Sequence, residues 1–157
     1  MTSLGRPRRL IALLPLLFAG CDGGTRPDGL TADDRGETRA ALAAARRRWS
    51  AAGPESYSYL YRRVCFCPSA PLVRITVREG QVGEVVAAET GEPVAGTFPT
   101  VEALFAEVQE AMDADAHEIR ASYDAALGYP TSFYVDHDVQ VADEEQRVET
   151  SGLRPLT

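Results

Sequence analysis

Residues 73–88 read VRITVREGQVGEVVAA, and this stretch carries the fold in miniature. Val73, Ile75 and Val77 alternate with Arg74, Thr76 and Arg78. A period of two places the apolar side chains on one face, which predicts a half-buried strand. Glu79-Gly80 turns the chain, and residues 81–88 predict the returning strand. Just upstream, residues 57–66 alternate as well. Leu60, Val64 and Phe66 share one face, and Tyr57, Tyr59, Tyr61, Cys65 and Cys67 the other. Pro68 and Pro71 then break the run.

Working outward, a helix is predicted to start near Asp33 or Asp34, acidic residues suited to its positive end. Its apolar stripe is Leu42, Ala45 and Trp49, with Arg46, Arg47 and Arg48 toward the C-terminal end, and Gly53-Pro54 stops it. Residues 91–98 read as a loop. Thr100, behind Pro99, caps a second helix with Val101, Leu104, Phe105, Val108 and Met112 at helical spacing, ending around residues 113–115. Strands follow at residues 117–123 (Ile119, Ala121 and Tyr123 inward), 131–136 and 146–153, with residues 139–141 extending the hairpin. Gly128-Tyr129-Pro130-Thr131 reads as a tight turn. The order, helix then three strands, occurs twice. The expected fold is therefore α+β: a meandering antiparallel sheet with two helices packed on one face, and an αβββ pseudo-repeat.

The N-terminus predicts an address. Arg6, Arg8 and Arg9 precede an apolar run, residues 10–18, closed by Ala19-Gly20-Cys21. These are the three parts of a lipoprotein export signal. The run is well short of the ~20 residues that span a bilayer as a helix. Leu17 stands four residues before the cysteine and Phe18 three, where Leu is usual. Cleavage before Cys21 would leave its thiol and new amino group to carry acyl chains, each buried methylene contributing about 0.8 kcal/mol to anchoring. The expected organisation is a signal peptide over residues 1–20, a Gly-, Asp- and Pro-rich flexible tether over 21–32, and one α+β domain over 33–157. Removal of the first 20 of 157 residues leaves 13 arginines against 23 acidic residues, a formal net charge of −10. Such a polyanion is a poor partner for nucleic acid or for anionic lipid surfaces.

Of the three cysteines, Cys21 is taken by lipid, and Cys65 and Cys67 remain as a pair in an oxidising compartment. On an extended strand their Cα atoms stand about 6.6 Å apart, the long end of disulfide geometry, so a bond between them needs a kink at the strand end. A ring this small removes little chain entropy. A bridge that shapes the strand end is the leading reading; a strained, reducible redox pair, a metal site and free thiols are the alternatives.

Tyr57-x-Tyr59, Cys65-Phe66-Cys67-Pro68, the strand ending at Gly80, Thr100-Val101-Glu102-x-Leu104-Phe105 and Tyr123-Asp124 with Gly128-Tyr129-Pro130-Thr131 occur in that order. With Asp136 and Asp143-Glu144-Glu145, they resemble an uncharacterised family of small bacterial lipoproteins, a domain of unknown function, over roughly residues 49–148. The resemblance implies an envelope location and a compact α+β domain. It implies no activity for any residue.

The remaining candidates are each weighed against a plain structural role. Tyr57, Tyr59 and Tyr61 beside Arg63 could form a binding face, since aromatics with Arg favour recognition; the alternative is that the rings pack under a helix. His117 and His137 could join two thiolates around zinc, but solvation fits their acidic surroundings better. Asp136, Asp138, Asp143, Glu144 and Glu145 lack the central Gly and final Glu of a calcium loop, and a charged hairpin resisting edge pairing explains them. No Gly-x-Ser-x-Gly elbow, phosphate loop or His-Glu-x-x-His occurs. No catalytic set, metal or cofactor is therefore expected. The expected function is a lipid-anchored, non-enzymatic envelope module facing the periplasm or exterior, held to the membrane by its lipid and presenting a sheet face to an envelope protein. The alternative is a thiol-disulfide redox protein using Cys65 and Cys67.

Overall fold

The computed structural model describes residues 32–65 and 71–157. The expected signal segment with Cys21, nearly all of the expected tether, and Cys67 lie outside the described residues. The described elements are α1 (Ala32–Ala52), β1 (Tyr57–Cys65), β2 (Val73–Arg78), β3 (Gln81–Ala87), α2 (Val101–Asp113), β4 (Glu118–Tyr123), β5 (Pro130–Asp136) and β6 (Gln146–Pro155). The fold is α+β, with both helices packed on one face of a six-stranded antiparallel sheet.

The strand order is β3-β2-β1-β6-β5-β4. The sheet is thus two three-stranded meanders, each preceded by its helix, rather than one continuous meander. Their first and last strands, β1 and β6, pair antiparallel in the middle. An open strand edge is a row of unpaired donors and acceptors; this joint seals one edge of each meander against the other. It also makes the longest ladder of the domain the one between its most distant strands in sequence.

Local chemistry explains the elements. Glu79 and Gly80 carry φ of 50° and 73°, a two-residue turn with both centres left-handed, whose twist matches that of β2 and β3. The N-cap Thr100 is extended at φ −83° and its side chain accepts from Ala103 N, satisfying a donor that the helix leaves free. Val101, Leu104, Phe105, Val108, Ala111 and Met112 are buried along α2. On α1 the buried stripe is Leu42, Ala45 and Trp49, and Gly53 N closes the last turn on Trp49 O at 2.7 Å. The sheet meets these helices with Tyr57, Tyr59, Tyr61, Val73, Ile75, Val77, Ile119, Phe133, Val135 and Val148, all buried.

Two loops differ from expectation. Residues 139–141 do not extend the β5–β6 hairpin. Val141 N bonds the carbonyl of Asp138 at 2.8 Å and Gln140 N bonds Asp138 Oδ1 at 2.9 Å. An Asp side chain that captures local amides in this way competes with a ladder, and it leaves Val139 and Val141 exposed. The tight turn lies earlier than the Gly128–Thr131 motif. Asp124 Oδ1 accepts from Ala126 N at 3.0 Å and Leu127 N at 2.7 Å, and its carbonyl accepts from Gly128 N at 3.0 Å. Pro130 already begins β5.

Candidate functional site

The β1 tyrosines belong to the core. Tyr57 Oη accepts from Val101 N at 2.9 Å and lies 3.4 Å from Glu102 Oε2. Trp49 Nε1 donates to Glu102 Oε1 at 2.7 Å, and the Trp49 and Tyr57 rings meet edge to face at 5.3 Å. Tyr59 Oη donates to the carbonyl of Pro99. The expected recognition surface on Tyr57, Tyr59 and Tyr61 is therefore corrected: these rings are 1%, 0% and 5% exposed. The alternation holds, but the tyrosine face is the one the helices cover. Large rings with a polar tip fill a core when their hydroxyls find partners at its border. Burial accordingly pushes the Tyr57 and Tyr59 phenols well above their ordinary value and Tyr123 up to about 12.

Arg63 closes that row where the helical cover ends. Its Nε donates to Tyr61 Oη at 2.7 Å, and one terminal nitrogen reaches both oxygens of Glu107 at 2.9 and 2.7 Å. The other bonds Gln146 Oε1. Burial works against the guanidinium's charge, but the bonds to Glu107 and Tyr61 outweigh it and hold Arg63 above its ordinary value. Burial raises Tyr61 as well, against the pull of Arg63. Beside this network opens a cleft of about 320 Å³, floored by Ala111, Phe133 and Val135 with Arg63, Glu107 and His137 at its border. Its volume is at the low end of the ~300–1,000 Å³ usual for ligand sites. Cys65 lies directly opposite Gln146 in the β1–β6 ladder, on the same strand face as Arg63, so the end of β1 stands at the mouth of this cleft.

The histidines do not converge on a shared site with that cysteine. His117 N bonds the carbonyl of His137 at 3.2 Å, while the His137 side chain is exposed. Among the described residues no three His, Cys, Asp or Glu side chains are placed to hold a metal ion. Asp138, Asp143 and Glu145 lie exposed on the β5–β6 loop, with Glu144 half-buried and bonded to Asp138 N.

Among the described residues no helix covers the opposite face of the sheet. Register places Leu60, Arg62 and Val64 of β1 there, beside Arg74 on β2 and Glu149 and Arg147 on β6. Arg120, Tyr134 and Arg147 stand in one cross-strand row over β4, β5 and β6, with the Arg120 guanidinium 4.4 Å from the Tyr134 ring centre. Ser122, Ser132 and Glu149 form the next row. A depression of about 290 Å³ lies between the rows. Sequence reasoning missed this face, and it also missed Glu102 and Glu107, the α2 partners of the tyrosine row. The legible signal for both glutamates was their place on an amphipathic helix, Glu102 in its first turn and Glu107 five residues on; nothing local paired them with Trp49 or Arg63.

No curated protein and no solved structure matches this chain. A family model does match residues 41–155, and the chain belongs to that family of unknown function, DUF6174.

Proposed function

We propose that this chain is a lipid-anchored, non-enzymatic protein of the cell envelope that presents the sheet face opposite α1 and α2 to another envelope component. The anchor is Cys21, acylated after removal of residues 1–20. Ten residues separate it from α1. At ~3.3–3.6 Å per residue their reach is at most about 40 Å, so the domain works close to its membrane. The Cys65–Cys67 bridge belongs to this reading as a device that shapes the end of β1, where Cys65 stands opposite Gln146.

The single observation that carries the binding role is the segregation of charge between the two sides of the domain. Outward strand positions hold six of the twelve arginines of residues 32–157, namely Arg62, Arg74, Arg78, Arg120, Arg147 and Arg154. They hold only four of the twenty-one acidic residues: Glu84, Glu118, Asp136 and Glu149. The rest of the domain is strongly acidic. A solvated sheet face needs polar residues, but it does not need one sign of charge in excess. Such an excess on one face steers and orients a partner.

The test of the address is fractionation of cells carrying Cys21→Ser. The variant is expected to leave the membrane or to remain an unprocessed precursor. Correctly processed variant protein held in the membrane as firmly as wild type would refute it. The test of the face is capture of native envelope components by wild-type chain and by a chain with Arg74, Arg147 and Arg154 changed to Gln. Loss of the captured species in the variant is expected, and identical capture would refute the assignment.

A further inference from the structure

Resting on the presented face proposed above, we infer that its occupant is an anionic polysaccharide, laid across the strands with its carboxylate or phosphate groups on arginine. The arginines of this face divide into two sets. Arg62 is paired with Glu149, and Arg120 with Glu118. Arg74, Arg78, Arg147 and Arg154 make no ion pair among the described residues. Guanidinium groups left without carboxylates, on a domain that has a large surplus of carboxylates, match an incoming oxyanion in geometry and charge.

Their spread selects a polymer over a small anion. Arg147 and Arg154 lie seven residues apart on β6, roughly 20 Å at ~3.3 Å per residue. Arg74 stands two strands away from Arg154, across β1. A single carboxylate or phosphate reaches one of these groups, whereas a chain with regularly spaced charges reaches several. The depression beside Arg147 adds hydroxyl-bearing Ser122 and Ser132 and the carboxylate of Glu149. Together these offer donors and acceptors to sugar hydroxyls.

The same features disfavour a lipid bilayer. Neighbouring strands rotate by roughly 20–25°, so six of them turn through about 100°. A plane touches only part of such a face, while a flexible polymer follows it. Val64 is the one large hydrophobe of the described strands that is exposed, too little to enter acyl chains.

The experiment uses the chain from residue 21 onward with Cys21→Ser, so that no acyl chain contributes to binding. Polygalacturonate, neutral dextran and phosphatidylglycerol vesicles are the probes, in affinity electrophoresis and co-sedimentation at low salt. The wild-type domain is expected to be retarded by polygalacturonate and not by dextran, with the retardation fading as salt is raised. Changing Arg74, Arg147 and Arg154 to Gln is expected to weaken it by at least about tenfold, while Arg39→Gln with Arg47→Gln on α1 changes it by less than about twofold. An unchanged urea midpoint shows that each variant is folded. Absence of polygalacturonate binding, equal binding by both variant sets, or a preference for vesicles overturns the inference. Arginine-dependent capture of an envelope protein without polygalacturonate binding overturns the polysaccharide but leaves the presented face standing. Capture indifferent to the triple change overturns both.

Discussion

Three glycines of this chain, each changed to alanine, are expected to give three different outcomes. Gly36 lies exposed within α1, and a Cβ there meets nothing within 4 Å. Alanine is the better helix former, so Gly36→Ala should stabilise by up to about 1 kcal/mol. Gly80 is also open, but its φ of +73° is left-handed. That conformation costs an L-residue roughly 1–2 kcal/mol, partly offset by ~0.4–1 kcal/mol from a less free unfolded chain, leaving a net loss of about 1 kcal/mol. Gly128 combines a φ of +86° with a close approach to α1. Its Cβ would stand 2.4 Å from the carbonyl oxygen of Ala45 and 2.9 Å from Arg48 Cβ. Both neighbours are held by the helix, and ordinary contact requires α1 to retreat by about 1 Å. Overpacking of this kind adds about 1–3 kcal/mol to that net loss of about 1, so Gly128→Ala should lose about 2–4 kcal/mol. Urea unfolding followed by the fluorescence of Trp49, the single tryptophan of the chain, reads all three. A Gly128→Ala loss no larger than that of Gly80→Ala would mean that α1 is not seated on the β4–β5 turn as described.

Three other outcomes follow from the same packing. Phe105, 3% exposed and stacked 6.2 Å from Tyr123, should cost about 3–5 kcal/mol when cut to alanine. The exposed Glu110 should cost less than about 0.5 kcal/mol; equal urea midpoints for the two would reject the docking of α2. The raised phenols of Tyr57, Tyr59 and Tyr123 bind protons more tightly in the folded than in the unfolded chain. Their contribution is whole below pH ~10 and is lost as pH climbs from there through about 12 and beyond. Phenolate absorbance should accordingly show these tyrosines ionising late and together with unfolding, and six tyrosines titrating near pH ~10 in a folded chain would contradict it. The Cys65–Cys67 linkage should leave the intact protein two hydrogens lighter than its reduced form. Because the ring is small, replacing both cysteines by alanine should lose only about 1–2 kcal/mol, against roughly 2–5 for disulfides of small secreted domains; failure to fold without the pair would refute a bridge that merely shapes the strand end.

Much of the fold was legible because its signals are local. The alternation of Val73, Ile75 and Val77, the Glu79-Gly80 turn and the stripe of Val101, Leu104, Phe105, Val108 and Met112 each follow from one period read over a few residues. Residues 139–141 misled because Val139 and Val141 alternate like a strand, while Asp138 takes up the amides that a ladder would need. The candidate site was far less legible. The partners of Arg63 are Tyr61, two residues away, but also Gln146 and Glu107, which lie on other elements.

The sequence by itself determined the elements, their amphipathic faces and the two αβββ units, since backbone propensity and side-chain period act within a single segment. It also held the N-terminal pattern from which the address is proposed. Only the tertiary structure decided which face of β1 is inside. Two alternating sets of side chains, tyrosines on one face and leucine, arginine and valine on the other, were both able to pack or to face water. The choice fell to the helices, whose apolar stripes demanded the larger rings; Val101 and Glu102 of α2, with Pro99 just ahead of it, supplied partners for the phenols of Tyr57 and Tyr59. Pairing of β1 with β6 was likewise invisible in either strand, because it joins segments more than eighty residues apart. That pairing sets Arg62, Arg74, Arg147 and Arg154 on one surface, where charges scattered along the chain become a face.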